Sequence, residues 1–272
     1  MPHPEDPKSN RLLAALSDAD WQRWRLRLER VDLKLGQILY EPSSPPVYAS
    51  FPTSAIVSLQ YVMGSGASSE IAVVGNEGIV GTSLFLGGDA ATSHGSVLIA
   101  GQGFRIGAQM IRDEFDRYDS VRLLLLRYTQ ALITQIAQTA VCNRHHSVDQ
   151  QFCGWLLHCL DRLRQGEVVV TQELIASVLG VRRESVTEAA CRLQAAGLIR
   201  YARGHISVLD RAGLERRSCE CHSVVKKEYD RLLPQEPAAR PANSPRRVLP
   251  AWYGAAAIRH TPGHEIAAGR ET

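Results

Sequence analysis

Sixteen residues, TQELIASVLGVRRESV at 171–186, leave the chain fewer folding choices than any other stretch of the sequence. Glu173, Leu174, Ile175, Ala176 and Leu179 read as one short helix, and Arg182-Arg183-Glu184 opens a second. Gly180 stands between them, where a tight turn needs a positive φ that glycine adopts without a Cβ penalty. Ala176 is small where the two helices would cross. Ile175, Leu179, Val181, Val186 and Ala189 are apolar where a helix pair must face a core. Thr171 is placed to cap the first helix, and the second is expected to run to Ala195, with Gly197 as its stop.

Directly behind, Leu198-Ile199-Arg200-Tyr201 and His205-Ile206-Ser207-Val208 flank Ala202-Arg203-Gly204, a ribbon with a basic tip. A helix-turn-helix followed by such a wing points to nucleic acid, because the first turn of the second helix is the part that reaches base edges. Arg183 suits guanine N7 and O6, and Glu184 can accept from a cytosine amino group. Ser185, Thr187 and Arg203 suit phosphate contacts, and Thr171, Arg182 and Glu188 complete the expected DNA-facing set. The alternative is that both arginines are solvated charges. A helix N-terminus disfavours cations, however, so two arginines there need a compensating anion.

Charge is distributed to match. Net charge is only +3, but residues 182–217 carry eight arginines against four acids, while residues 36–110 hold Arg105 alone against Glu41, Glu70, Glu77 and Asp89. A polyanion would be met by the second half. In the first half, Ile38–Tyr40, Ile56–Val62, Glu70–Val74 and Ser96–Ala100 are short β-rich runs. Glycines, among them Gly101 and Gly103, punctuate them, which predicts an antiparallel sandwich or small barrel. Residues 1–10 read as a loose leader, and Arg11–Arg30 as helical with a break capped at Ser17 or Asp18.

Ser120–Asn143 reads as one long helix without Gly or Pro. Leu125, Tyr128, Leu132, Ile136 and Thr139 form a stripe, widened by Leu124, Ala131, Ile133 and Ala140. A helix apolar on more than one face needs two partners: the β-domain can be one and the same helix of a second copy the other, to which the stripe is assigned, while the alternative is a helix buried within one monomer. Ser147 and Gln150 form a capping-box pattern, which makes Asn143–His146 a joint. Beyond Pro234 the chain is rich in Pro, Ala and Arg without periodicity and is expected to be disordered. No apolar run approaches the ~20 residues a membrane helix needs, and no basic-then-apolar leader is present, so a cytoplasmic protein with reduced thiols is expected.

The order of β-domain, long helix and winged helix resembles the Crp-Fnr family of bacterial transcription regulators, over roughly residues 12–233. GNEGIVGTSLF (75–85) and TQELIASVLGVRRESVTEAACRLQAAGLI (171–199) are the segments that carry the resemblance. It implies an α+β fold with a cyclic-nucleotide-binding-like jelly roll (11–119), a dimerisation helix and hinge (120–145), a winged helix-turn-helix (146–233) and a tail (234–272). It further implies a homodimer on a near-palindromic site, with RNA polymerase as a partner and no membrane. An arginine one turn beyond the Arg183-Glu184 pair, common in the cyclic-AMP-type members, is Glu188 here.

The same resemblance places an effector pocket at Gly81, Thr82, Ser83, His94 and Ser96. Yet Thr82 stands where an acidic residue would hold the ribose, and residues 82–96 contain no Arg or Lys. A cyclic phosphate buried without a cation is costly, so cyclic AMP is not expected to bind in the family manner, and the cofactor is unknown. No cysteine precedes Cys142, so the family's N-terminal iron–sulfur cluster is missing. Cys219-Glu220-Cys221-His222 has metal-like composition but no C-x₂-C spacing, and no metal site is assigned. His145-His146 reads as polar surface. An enzyme is not expected, because residues 31–110 offer only His94 as a histidine ligand. The remaining alternative is a ligand-binding or scaffold protein whose winged helix contacts protein.

Overall fold

Short strands dominate the first half of the computed structural model, which describes residues 6–65, 68–88, 90–163 and 167–233. Helices α1 (Arg11–Ala14) and α2 (Asp18–Trp24) precede strands β1 (Glu29–Leu33), β2 (Ile38–Tyr40), β3 (Tyr48–Pro52), β4 (Ile56–Val62), β5 (Ser68–Val74), β6 (His94–Ile99) and β7 (Gly101–Gly107). They form two antiparallel sheets, ordered β1-β7-β3 and β2-β6-β4-β5. Helices α3 (Ala108–Arg117), α4 (Asp119–His145) and α5 (Val148–Arg162) follow, then β8 (Glu167–Val169), α6 (Gln172–Leu179) and α7 (Arg183–Ala195). Strands β9 (Ile199–Ala202) and β10 (His205–Val208) and helices α8 (Arg211–Arg217) and α9 (Glu220–Leu232) complete the described fold. The expected tail, 234–272, lies outside the described residues.

The sequence runs for β2 and β4 coincide with the observed strands. Three other strands, β1, β3 and β7, carry no such run. In β7 the reason is steric. Gly103 faces β3 so closely that a Cβ would lie 2.8 Å from the Phe51 carbonyl, and one on Gly101 would lie 2.6 Å from the Ala55 amide. Glycines read as turn punctuation are positions of close backbone approach inside a strand. The leader is likewise not loose where described. Asn10 is fully buried, its Nδ2 donating to the Pro52 and Gly78 carbonyls while its Oδ1 caps α1. Ser17 caps α2, as its position predicts.

Strand residues alternate between faces, and in β4–β6 both faces are apolar. Val57, Leu59, Ala72, Val74 and Val97 join the core between the sheets. Ile56, Val73, Leu98 and Ile99 join a second core with Phe152, Trp155 and Leu156 of α5 and Ile175 and Leu179 of α6. The second core therefore spans the β-sheet and the helix-turn-helix half. Helix α9 crosses in the other direction, adding Val225 and Tyr229 to the first core.

The stripe assigned to dimer contact needs correction. Leu125, Tyr128 and Leu132 are buried within the protomer, and Ile136 packs on the same core. Thr139 is half-buried beside a small internal cavity. They face inward because α4 lies against β5 and α9, which the sequence pattern alone did not locate. The outward face is Leu123, Leu126, Gln130, Ile133, Ala137 and Ala140, every one of them exposed. Their spacing alternates between three and four residues along the helix. The helix extends to His145, so the joint with α5 is narrower than expected, and Ser147 and Gln150 form the capping box on its far side.

Where sheet, long helix and α5 meet stands a buried ion pair. Arg162 Nε donates to Glu77 Oε1 at 2.8 Å, and both side chains are about 5 % exposed. Arg162 also donates to Gln135 Oε1 of α4 (3.2 Å) and the His158 carbonyl (2.8 Å), beneath the Tyr229 ring of α9. Gly75 makes room for it, since a Cβ there would lie 2.7 Å from the Arg162 Cβ. Gly78 likewise leaves space for the Tyr128 ring, whose hydroxyl donates to the Ile79 carbonyl. Removing one partner of such a pair leaves a buried charge uncompensated. Arg162→Ala should cost about 3–5 kcal/mol in urea denaturation, and Arg162→Met with Glu77→Gln together should cost less. A loss below ~1 kcal/mol in the single variant would mean that Glu77 reaches water.

Candidate nucleic-acid interface

The helix pair forms as its residues require. Thr171 Oγ1 accepts from the Leu174 amide, capping α6 at 3.2 Å. Gly180 turns the chain at φ +64°, and the Val181 amide donates back to the Ala176 carbonyl at 3.0 Å. Ile175, Leu179, Val186 and Ala189 are buried, while Val181 is partly so. Helix α7 then projects Arg182, Arg183, Glu184 and Glu188 to the surface. Its N-cap residue, Arg182, supplies no side-chain cap. First-turn amides left without a side-chain acceptor form the kind of helix end that accepts phosphate oxygens.

Charge at this end is uncommitted. Arg182, Arg183, Arg200 and Arg203 enter no salt bridge among the described residues. Arg192, further along α7, is held bidentately by Asp149 of α5 at 2.7 and 3.0 Å, and lies 3.6 Å from Glu188. The hydrogen bonds from Arg192 hold the Asp149 carboxyl below its ordinary value. Thr187 is tied down too. Its hydroxyl lies 2.9 Å from Gln172 Oε1 and 3.1 Å from the Arg183 carbonyl, locking α7 to α6, so it is not the outward donor expected. Ser185 is partly buried.

The wing is a three-stranded antiparallel sheet, β8-β10-β9, to which β8 adds a strand that the sequence did not signal. Ala202 pairs with His205 across the two-residue tip, where Arg203 and Gly204 have φ of +51° and +81°. Two successive positive φ values mark the primed turn that matches strand twist. Arg203 holds that conformation without being a glycine, a strain of order 1 kcal/mol found mostly where function requires the side chain. Exposed Arg200 on β9 joins the basic surface; its place in an expected wing strand is the signal that could have found it.

The β-sheet reaches the helix-turn-helix directly. Ser68 and Ser177 hydroxyls lie 2.9 Å apart, and Gly180 packs on Ser69. One residue on, the buried Glu70 accepts from the Ser58 hydroxyl. Burial pushes its carboxyl up to about 8, offset only in part by Ser58 and the Arg162 charge.

The expected effector residues do not gather around a cation. Gly81 is left-handed at φ +106° and abuts Tyr48, with Thr82 and Ser83 in the following turn. Ser83 Oγ is buried without a hydrogen-bond partner among the described residues. His94 lies opposite Gln60, and Ser96 opposite Ser58. Arg105 is engaged by Glu29 at 3.0 Å and stacks on the Tyr48 ring, in a cleft of about 560 Å³ that also holds Tyr40 and Leu33.

The cysteine cluster also rearranges. His222 turns away to Asp161 at 2.8 Å, whereas Cys219 and Cys221 meet Cys142 and His146 from the far end of α4. His146 is therefore not simple polar surface.

A two-sheet β-domain, a long helix and a winged helix-turn-helix whose arginine pair enters no salt bridge among the described residues define the architecture. Residues 150–217 match the Crp-like helix-turn-helix domain. The fold is shared with FixK2 from Bradyrhizobium japonicum (14% identity, TM-score 0.62, covering 71% of this chain and 98% of that one). It is shared as well with a CRP-family transcriptional regulator from Thermus thermophilus (19%, TM-score 0.56, 70% and 96%). The c-di-GMP-responsive global regulator CLP of Xanthomonas campestris is a third (16%, TM-score 0.54, 70% and 97%). No curated protein matches the chain in sequence. Its helix-turn-helix segment is Crp-like, and its fold is the one these regulators share. No helix among the described residues is long and apolar enough to cross a membrane.

Glu70 gives the contact between sheet and helix-turn-helix a pH signature. Its folded value is raised, so the folded chain binds the proton more tightly than the unfolded one. The stability it contributes is full below about pH 4.5 and is lost as pH rises towards 8. Urea midpoints should fall across that window, and Glu70→Gln should flatten the fall. An unchanged slope in Glu70→Gln would assign the pH dependence to other groups.

Proposed function

We propose that the chain regulates transcription as a homodimer whose two α7 helices enter successive major grooves of a near-palindromic site, ~34 Å apart. The observation that carries this reading is the exposed Arg183-Glu184 pair on the open first turn of α7, backed by the basic wing tip. Arg183 reads guanine and Glu184 reads cytosine, while Arg182, Arg200 and Arg203 neutralise phosphates. Glu188, one turn on, alters what the helix accepts at the next base step.

A second copy covers the outer face of α4. Leu123, Leu126 and Ile133 are 43–54 % exposed there, at heptad spacing with Gln130, Ala137 and Ala140. The same seam on a symmetry-related helix buries it without any other partner. Leu126→Glu with Ile133→Glu should convert a dimer to monomer in sedimentation equilibrium. The folded protomer should lose little stability, since both residues are exposed in it. A dimer surviving both changes would move the interface elsewhere.

The β-domain does not take cyclic AMP in the family manner, because Arg105 is already paired and the turn after Gly81 offers no cation. Isothermal titration should show no heat of binding at micromolar cyclic AMP. Selection of genomic fragments by the purified chain should recover a two-fold motif that Arg183→Ala no longer enriches. Each lost bidentate contact costs about 1–3 kcal/mol. Equal enrichment by wild type and variant would contradict the assignment of Arg183.

A further inference from the structure

Cys219 and Cys221 lie too close in sequence to close a metal site alone. The fold supplies two further ligands from 73 or more residues away: Cys142 in the last turn of α4 and His146, the residue that caps its end. The four ligand atoms all lie within 4.8 Å of one another. Cys142 Sγ and Cys219 Sγ are 3.5 Å apart, and Cys221 Sγ is 3.6 Å from His146 Nδ1. A tetrahedral ion with metal–sulfur bonds of ~2.3 Å and metal–nitrogen bonds of ~2.0 Å sets ligand separations of about 3.5–3.8 Å.

The surroundings fit as well. With Nδ1 turned to the sulfurs, His146 Nε2 faces Glu220 Oε2 at 3.7 Å, the outer carboxylate that steers a ligating imidazole. Gln151 Nε2 donates to the His146 carbonyl at 2.9 Å and the Cys142 carbonyl at 3.4 Å, fixing the backbone that presents both ligands. Cys219 and Cys221 are buried, Cys142 and His146 partly exposed, and a cavity of about 60 Å³ adjoins all three sulfurs. Ordinary packing does not require three thiols and a ring nitrogen to converge.

We propose that Cys142, His146, Cys219 and Cys221 form a Cys₃His site for a single thiophilic divalent ion of the zinc type. Thiolates with one imidazole select such an ion over oxygen-seeking cations. On binding, the three thiols release their protons to solvent, and the imidazole stays neutral with its proton on Nε2 toward Glu220. A cluster of several irons would hold its thiolates farther apart than these. The ion fastens the end of the long helix, beside its joint with α5, to the start of α9, just beyond the winged helix. It thereby sets the joint that orients α7. This last consequence rests on the DNA-binding reading; the site itself does not.

The test uses the full chain, incubated with zinc in reducing buffer, desalted and assayed by inductively coupled plasma mass spectrometry. The expected content is about one zinc per protomer. It is lost in the Cys219→Ser, Cys221→Ser double variant and kept in Cys191→Ser, whose thiol is exposed on α7. Cobalt loaded in place of zinc should give the visible and thiolate charge-transfer bands of a tetrahedral site. If the double variant does not fold, the cobalt spectrum of the unaltered chain decides alone. No retained zinc and no cobalt bands, full zinc in a folded double variant, or iron–sulfur absorption would overturn the site. Chelation should also weaken binding to the recovered motif about tenfold. Metal removed with affinity unchanged would overturn the fastening role and leave the site standing. Absence of any motif would remove the DNA reading without touching the metal count.

Discussion

Two charges taken out of water, Glu77 and Arg162, hold together three parts of the chain that are far apart in sequence. Glu77 comes from the Gly75–Gly78 turn of the β-domain, Arg162 from the last turn of α5, and the guanidinium also reaches Gln135 on the long helix. Desolvation makes such a pair weak evidence for stability but strong evidence for geometry, because neither charge tolerates losing the other. Glu77 also accepts from the Gly75 amide at 3.1 Å, so its carboxylate is fixed from both sides. Around this point the second core runs without a break from Val73 and Leu98 on the sheet to Ile175 and Leu179 beneath the recognition helix. A displacement in the sheet is therefore felt by packed side chains beneath α7.

The helix-turn-helix was legible because its demands are local. A left-handed glycine, a small crossing residue and a cap with its amide three residues on all fall within one window, and Gly180, Ala176 and Thr171 meet them. The wing tip was legible for the same reason. What failed depended on partners distant in sequence. Gly101 and Gly103 look like turn residues until β3 and the segment before β4 are placed against them. Leu125 and Leu126 are equally apolar, and only the positions of β5 and α9 decide that the first faces inward and the second outward. The three-four spacing of Leu123, Leu126, Gln130 and Ile133 was in the sequence, but the buried Leu125, Tyr128, Leu132 and Gln135 share it, so spacing alone does not separate the two faces.

The same distinction governs the cysteines. Spacing rules detect metal ligands that are neighbours in the chain, and Cys219 and Cys221 are neighbours of the wrong kind. Cys142 and His146 carry the i, i+4 spacing that brings two side chains near each other at the end of a helix. That signal gained meaning only once α9 was seen to lie along α4. In the β-domain, by contrast, the reasoning from charge needed no structure. A region with one arginine has no cation to spare, and Arg105 is found engaged with Glu29 and Tyr48.

The central claim is that the basic face of α7 and the wing meet DNA rather than a protein. Affinity for a duplex carrying the recovered motif, measured beside a scrambled duplex over a range of salt, tests it most directly. Neutralising several phosphates releases their counterions, so log affinity should fall steeply with log salt for both duplexes. The motif should keep an advantage of at least about 10³-fold. Weak, salt-insensitive binding with no preference between the two duplexes would contradict the account and leave the arginines of α7 to a protein partner.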